Sequence, residues 1–412
     1  MPARPKILYV AHSPVFHQHI GGIEVYIQNL SKALSGQYEV LIYAPKEGGN
    51  GAITQITNHQ GQLIREITWA SPSSHWQLQC KEREEGFAKI LKEFEIDLVH
   101  FHHLAGHPPS LMTIASQNRV ATVFSVHDYF GVCHVSNLLN QNGKYCRPND
   151  ISISQCDTCL STQFGILPGS QLKRRTVWEK LLESCDALIF NTQASKNLVM
   201  DIYPSLSRHP ASFIAPVPIM NSGSVDITGL QNHQGKNWPL KIAVLGNFIQ
   251  HKGAQTIIEA INMLKDESVE FHLIGTVNPT YLDALKPFLG NTVFLHGSYS
   301  SQNMPPVLQE CQISLHVSIC PETYCLTLSE AVDAKLVPVV TDIGALGERV
   351  THGVNGLKIE VDSATQLCNS IKSFLADPAS IDRLKKGEPP VPVARLSEHL
   401  DQLQDCLLYT SD

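Results

Sequence analysis

Two short stretches, Lys6-Ile-Leu-Tyr-Val-Ala11 and Lys241-Ile-Ala-Val-Leu245, decide how the chain is read. Both are nearly continuous apolar runs. Each is followed by a turn with glycine, at Gly21-Gly22 and at Gly246 and Gly253, and then by a segment of helical period. Unbroken Val/Ile/Leu runs mark strands covered on both faces, as in a parallel sheet whose crossovers are helices. The pattern repeats outward from each. In the first half, strands are expected at 6–11, 38–43, 97–101, 121–126, 187–191 and 212–214, with amphipathic helices at 23–34 and 81–94. In the second half, strands are expected at 241–245, 271–274, 293–296, 313–317 and 337–341. Helices there are expected at 253–264, 279–289, 304–310, 323–335 and 364–376. Alternation of this kind gives doubly wound α/β domains.

At 412 residues the chain exceeds what one core usually serves. The expected division is an N-terminal domain over 1–215 with a cysteine-containing insert at 128–165, a linker over 216–240, a C-terminal domain over 241–390 and a tail over 391–412. The linker is marked by Pro216, Pro218, Gly223, Gly229, Gly235 and Pro239 and lacks any period. The tail has no cap and no clear period, and reads as a truncation or assembly scar. The architecture expected is two Rossmann-like domains facing a cleft.

Composition removes several function classes. Apolar residues at 43% and charged residues at 17% exclude disorder and coiled coil as whole-chain answers. A formal charge of -7 argues against a general nucleic-acid binder. The charge is uneven: residues 1–215 carry 18 basic and 17 acidic side chains, and 216–412 carry 13 and 21, so an anionic or membrane partner would meet the first half. No apolar run has the 18–20 residues or so that cross a bilayer, and no cleavable signal precedes the first strand. An odd count of 11 cysteines suits a reducing compartment. The chain reads as cytoplasmic.

Three places would carry chemistry. Gly21-Gly22-Ile23-Glu24, between first strand and first helix, would let a ligand approach backbone N–H groups; its bland alternative is a tight turn. The G-x-G-x-x-G spacing is absent, so a dehydrogenase is disfavoured. In Pro321-Glu322-Thr-Tyr-Cys-Leu-Thr-Leu-Ser-Glu330, the two carboxylates would stand about 12 Å apart along one helix. If Glu322 lies in the preceding loop instead, the N–H groups of Tyr324, Cys325, Leu326 and Thr327 form an anion cradle with a carboxylate on either side. The alternative is an acidic first turn serving its own helix dipole. Gly246-Asn247-Phe-Ile-Gln-His251-Lys252-Gly253 would bring an ammonium to a phosphate at a strand's carboxyl end, or Lys252 is simply a surface lysine.

The ordered set Gly21-Gly22-Ile-Glu24, His127-Asp128, Lys252-Gly253, Glu322-x7-Glu330, Ile343-Gly344 with Glu348, and His352-Gly-Val-Asn-Gly356 resembles the retaining GT-B glycosyltransferases of family 4, over about residues 5–376. His127-Asp-Tyr129 with the cysteine insert is similar to bacterial enzymes of surface polysaccharide assembly. The resemblance implies a nucleotide-sugar donor, a glycan or lipid-linked acceptor, and no cofactor required for catalysis. It implies that Glu330 holds ribose hydroxyls, that Glu322 lies by the anomeric centre, and that Lys252 neutralises the diphosphate beside the amides of Cys325 and Leu326. It further implies that Gly22 admits the donor phosphate and that His127 contacts the sugar; His102 and His103 would be acceptor-side contacts or packing. Three positions depart from the family: Asn247 stands where Arg is common, and Cys325 and Lys335 where Gly is frequent. The alternatives are a non-catalytic nucleotide-sugar-binding protein of the same fold and a GT-B sugar-nucleotide epimerase.

The insert carries Cys133, Cys146, Cys156 and Cys159, and Cys156-x2-Cys159 has the spacing of a zinc knuckle. A structural zinc, buried free thiols and disulfides all remain open on spacing alone. Lys173-Arg174-Arg175 reads as a solvated helix face, with contact to the inner face of the cytoplasmic membrane as its alternative.

Overall fold

The computed structural model describes residues 4–16, 21–49, 51–74, 77–219, 239–300 and 303–409, with the side chains of 404–409 left aside. Most of the expected linker, residues 220–238, lies outside the described residues, as do residues 410–412 of the expected tail. The chain forms two compact units. One comprises Met1–Gln141, Cys146–Val217 and His399–Asp412, and the other Asn142–Tyr145 and Pro218–Glu398.

The first unit is built on strands β1 (Lys6–Val10), β2 (Glu39–Pro45), β3 (Ile53–Asn58), β4 (Leu63–Thr68), β5 (Leu98–Phe101), β6 (Ala121–Val126), β7 (Ala187–Phe190) and β8 (Ser212–Ile214). Their order in the sheet is β4-β3-β2-β1-β5-β6-β7-β8. Six of them run parallel, while β3 pairs antiparallel with both β2 and β4. The connecting helices are α1 (Gly22–Leu34), α2 (Lys81–Glu93), α3 (Leu111–Gln117), α4 (Ile153–Phe164), α5 (Ser170–Glu183) and α6 (Gln193–Ile202). The parallel strands β1, β2, β5, β6 and β7 are buried almost end to end, as their unbroken apolar runs require, while the edge strand β8 is partly exposed. The β3–β4 ribbon escaped the sequence reading for the converse reason. Only Thr54 and Ile56 of β3 are buried, and Leu63 and Ile64 of β4 are exposed, so neither strand makes a continuous apolar run.

In the second unit β9 (Leu240–Leu245), β10 (Val269–Ile274), β11 (Val293–Gly297), β12 (Ile313–His316), β13 (Val337–Thr341) and β14 (Leu357–Ile359) form an all-parallel sheet of order β11-β10-β9-β12-β13-β14. Around it lie α7 (Ala254–Met263), α8 (Leu282–Leu285), α9 (Leu326–Asp333), α10 (Gly344–Arg349), α11 (Ala364–Ala376) and α12 (Ala379–Lys385). A final helix, α13 (Leu396–Tyr409), occupies the stretch read as an uncertain tail, and His399 onward belongs to the first unit. The helix expected over 279–289 breaks into α8 between two 3-10 turns, because Pro279 and Pro287 each lack an N–H. That expected over 304–310 is a 3-10 turn behind Pro305-Pro306. Ile242, Phe271, Ile313, Val339, Ile261 and Ile371 interlock in the core between sheet and helices.

The basic run at 173–175 is not a solvated face. Only Lys173 is exposed. Arg174 is buried, donates to the Phe130 carbonyl and lies over the Phe130 and Trp178 rings at 4.5 and 5.3 Å.

Candidate active site

In an open parallel sheet, ligands are held where consecutive connections leave in opposite directions, beyond the carboxyl ends of the strands. In the second unit that point lies between β9 and β12, whose following loops carry residues 246–253 and 317–325. Gly253 explains how the two loops meet. Its φ is +81°, and a Cβ there would stand 2.0 Å from the Val317 carbonyl oxygen, so the chain passes where only hydrogen fits. The Ile319 N–H then donates to the His251 carbonyl at 3.0 Å. With the loops joined, Lys252 Nζ reaches Glu322 Oε2 at 2.7 Å and Ser318 Oγ donates to Glu322 Oε1. Burial alone would raise the Glu322 pKa, but Lys252 and Ser318 outweigh it and hold the carboxyl down at about 2. Burial likewise works against the Lys252 ammonium, and Glu322 reverses it, so its pKa is raised. Both groups are charged at neutral pH. The Glu322 side chain is 12% exposed and that of Lys252 35%, so the ammonium is the more accessible partner.

Helix α9 starts beside this pair. Its N-cap, Cys325, takes the left-handed conformation at φ +68°, where glycine would be at ease. Glu322 therefore stands in the loop and Glu330 inside the helix, the arrangement needed for a cradle between them. The amides of Leu326 and Thr327 precede the first intrahelical bond at the helix tip. A residue without any local signal organises the turn: buried Arg349, from α10, donates to the carbonyls of Tyr324 (2.9 Å) and Cys325 (3.0 Å) and to Ser329 Oγ (2.7 Å). Its guanidinium lies 4.0 Å from the centre of the Tyr324 ring. Tying down the carbonyls fixes the direction of the amides. At the other side Tyr299 donates to Glu330 Oε2 at 2.6 Å.

Asn247, Lys252, Glu322, Cys325 and Thr327 line one pocket, together with His316 and Ser318. Its enclosed part is small, about 20 Å³, room for roughly one water, so a larger ligand would lie at its mouth. Asn247 puts no cation into it; its Oδ1 accepts from Thr276 Oγ1 at 2.6 Å. Leu326 and Glu330 share the helix tip without lining the pocket. The Tyr324 side chain is buried beneath the turn, with its OH 3.3 Å from Ser329 Oγ. Ser318, His316, Tyr299 and Arg349 went unread in the sequence because nothing local distinguishes them.

In the first unit the corresponding reversal lies between β1 and β5. His12 and Ser13 follow β1, His102 and His103 follow β5, and His127 and Asp128 follow β6. Glu24, on the first turn of α1, accepts from Ser13 Oγ at 2.5 Å and from the Gly21 N–H at 2.9 Å. Gly22 opens that helix, and a Cβ there would meet nothing within 4 Å. His127 Nε2 lies 3.0 Å from His102 Nδ1, and its ring packs 5.1 Å from that of Tyr26. Burial pushes the His127 pKa down to about 3, so the ring is neutral at physiological pH. His102, buried and depressed for the same reason, belongs to this histidine stack, and His103 is held by Asp128 at 2.9 Å.

Comparison with known proteins places both units. The first half matches the model described as Glycosyltransferase Family 4 over residues 20–214, and the second that described as Glycosyl transferases group 1 over residues 230–388. No curated protein matches the chain. Among solved structures it is similar to HepE from Anabaena in complex with UDP (18% identity, 98% of this chain and 97% of that one, TM-score 0.61). It is also similar to sucrose-phosphate synthase from Thermosynechococcus elongatus (16% identity, 99% and 97%, TM-score 0.65). A third likeness is the catalytic domain of starch synthase IV from Arabidopsis thaliana bound to ADP and acarbose (12% identity, 100% and 100%, TM-score 0.62). At these identities the likeness is one of fold. With a family 4 domain followed by a group 1 domain, the chain belongs to the glycosyltransferases of GT-B fold.

Proposed function

We propose that the protein moves a sugar from a nucleotide-diphosphate donor to a hydroxyl of a glycan or lipid-linked acceptor, with retention at the anomeric carbon, in assembly of a cell-surface polysaccharide. The observation that carries the donor reading is the Lys252–Glu322 pair, 2.7 Å apart at the tip of α9. The ammonium and the helix-tip amides favour the charge that grows on a departing diphosphate, and such preorganised groups account for much of the rate in similar transfers. When a donor phosphate takes up Lys252, Glu322 is left ionised beside the sugar, where a developing positive charge at the anomeric carbon is stabilised. Glu330 is assigned to the ribose hydroxyls. From the first unit we assign His127, neutral, to the sugar and Gly22 to close approach of backbone to phosphate. HepE with UDP and starch synthase IV with ADP support a nucleotide donor by likeness. Retention and the polysaccharide role rest on the motif set alone, and a cytoplasmic setting rests on the odd count of 11 cysteines.

Among the described residues no helix is long and apolar enough to cross a membrane. We assign a peripheral membrane contact to the α4–α5 turn, where Phe164, Leu167 and Leu172 are exposed beside Lys173.

The test is turnover of UDP-, GDP-, ADP- and dTDP-sugars, with the anomeric configuration of the product read by NMR. Release of nucleoside diphosphate with a retained product is expected from one of them. Binding without turnover across the whole panel would move the reading to a non-catalytic nucleotide-sugar binder. Sedimentation with anionic vesicles, lost in Leu167→Ser, tests the membrane contact.

A further inference from the structure

The insert between β6 and α5 has a cavity of about 240 Å³ that nothing in the proposed transfer uses. Cys133, Cys146, Cys156 and Cys159 all line it. The set does not fit the structural zinc that its spacing suggests. Cys156 and Cys159 lie three apart on α4, and among the described residues no group of three or more His, Cys, Asp or Glu stands where it could hold a metal ion. Burial pushes the thiols of Cys133, Cys146 and Cys156 up, that of Cys146 to about 12, so these three stay protonated at neutral pH. A protonated thiol in such a place behaves as a small apolar group. With Val135, Leu139, Ile151 and Leu160 the thiols form a soft, uncharged wall.

One charged group faces that wall. Arg175, from α5, lines the cavity with its guanidinium 4.0 Å from Cys156 Sγ, while its buried Nε has no hydrogen-bond partner. No carboxylate belongs to the lining, and Asp157, next to Cys156, accepts from the Gly169 N–H at 2.9 Å instead. An apolar wall with one guanidinium and a desolvated donor left unused suits a ligand that is apolar along its body and anionic at one end. Asn140, Gln141, Gln155 and Thr158 add amide and hydroxyl donors to the same lining. That is more than the two oxygens of a carboxylate take up, whereas a phosphate offers three. From this we infer that the cavity binds an aliphatic phosphate monoester, the head group and first chain units of a lipid phosphate, with the phosphate on Arg175 and the chain along the thiols and leucines. At about 240 Å³ it falls short of the roughly 300 Å³ at which drug-sized sites begin, so it admits a head group and a short length of chain, not a whole lipid. A source lies close by. Helix α4, which supplies Gln155, Cys156, Thr158, Cys159 and Leu160 to the lining, ends at exposed Phe164, and exposed Leu167 and Leu172 follow. Supply from a membrane rests on the peripheral contact proposed above; the binding itself does not.

The experiment is isothermal titration of the full chain with butyl, hexyl, octyl and dodecyl phosphate. Affinity is expected to climb about fourfold per added methylene as far as octyl phosphate and to level off at dodecyl, whose chain outgrows the cavity. Octanol, which lacks the anion, and inorganic phosphate, which lacks the chain, should each bind about tenfold more weakly than octyl phosphate or worse, and Arg175→Met should lose a similar factor. A second readout needs no variant. Bound octyl phosphate should slow alkylation of Cys133, Cys146, Cys156 and Cys159 by N-ethylmaleimide, located by mass spectrometry, while Cys80 reacts at an unchanged rate. Absence of saturable binding by all four phosphates overturns the proposal, as does octanol or inorganic phosphate binding as tightly as octyl phosphate. Binding that leaves the alkylation of all four cysteines unchanged overturns it, and so does an affinity that keeps climbing through dodecyl phosphate, the mark of adsorption on an apolar surface. Leu167 does not line the cavity, so Leu167→Ser should keep octyl phosphate binding even where vesicle sedimentation is lost. None of these readouts depends on glycosyl transfer.

Discussion

The two sheets reverse their winding at equivalent places, between β1 and β5 and between β9 and β12, yet the groups gathered there keep charge in opposite ways. In the second unit Lys252 and Glu322 are driven further into their ionised forms by each other. In the first unit His100, His102, His107 and His127 are driven out of theirs by burial, and His399 joins them against Tyr26. The same topology can therefore present a fixed charge to a charged ligand or neutral hydrogen-bonding rings to a neutral one. The first suits a diphosphate and the second suits sugar hydroxyls, which accept and donate without an ion.

Acid should separate the two units most strongly. A histidine held down at about 3, as His107 and His127 are, stays neutral in the folded chain while the unfolded chain takes up a proton below about pH 6.5. Its contribution to stability is complete above pH 6.5 and is lost as pH falls toward 3, at roughly 5 kcal/mol for one fully buried group such as His107. Glu322, lowered to about 2, keeps its contribution above the ordinary carboxyl value and loses it only as pH falls from there toward 2. In the second unit His316 is also held down at about 3, and burial lowers His251, His272 and His296 as well. Because the most strongly lowered histidines cluster beside β1, β5 and β6, hydrogen exchange at pH 4.5 should show these strands losing protection before β9 and β13. Equal loss in both sheets would refute the contrast.

Lys252→Ala attacks the charged side of the comparison. Removal of one preorganised group facing a leaving group typically costs 10²–10³-fold in kcat, and that loss is expected in the donor-turnover assay. Lys252→Arg should recover part of it. His127→Asn, which removes a neutral ring, should cost less than Lys252→Ala; the reverse order would mean that the first unit supplies the decisive electrostatics.

Arg349→Met tests whether the helix tip depends on a cation that touches no ligand. The substitution leaves the Tyr324 and Cys325 carbonyls and Ser329 Oγ without their donor in a buried place, at a cost of about 2–3 kcal/mol. Thermal melting should report that loss. If Arg349 positions the amides, the KM for donor rises while the pH profile of turnover keeps its shape. A lower Tm with an unchanged KM would make it a structural residue only.

What the sequence disclosed follows from how local each feature is. The parallel strands were legible because burial on both faces writes itself as consecutive Val, Ile and Leu. The β3–β4 ribbon was not, since Leu63 and Ile64 face solvent and break the expected pattern. At the site, Lys252 and Glu322 could be singled out by their position after strand ends. Arg349 could not, because its role is set by three partners 20 to 25 residues away. The run at 173–175 was misread for the same reason: charge is visible in the sequence, whereas the Phe130 and Trp178 rings that cover Arg174 are brought there only by the fold.

The smallest effect concerns two non-glycine residues held in a backbone conformation that favours glycine. Lys335 and Cys325 both sit at positive φ, +64° and +68°. Such a conformation costs a non-glycine residue about 1–2 kcal/mol. Glycine removes that strain but adds roughly 0.4–1 kcal/mol of unfolded-state entropy. Lys335 is exposed, so Lys335→Gly should come out more stable by about 1 kcal/mol, read as a small rise in Tm. Cys325 is different. Its side chain is buried against Leu328, Val340 and Leu346, and loss of that packing cancels the relief, so Cys325→Gly should leave Tm nearly unchanged. Donor turnover in Cys325→Gly should also persist, because Lys252, Glu322 and the helix tip hold the charge without the thiol. A loss approaching that of Lys252→Ala would place the sulfur among the groups that act on the donor.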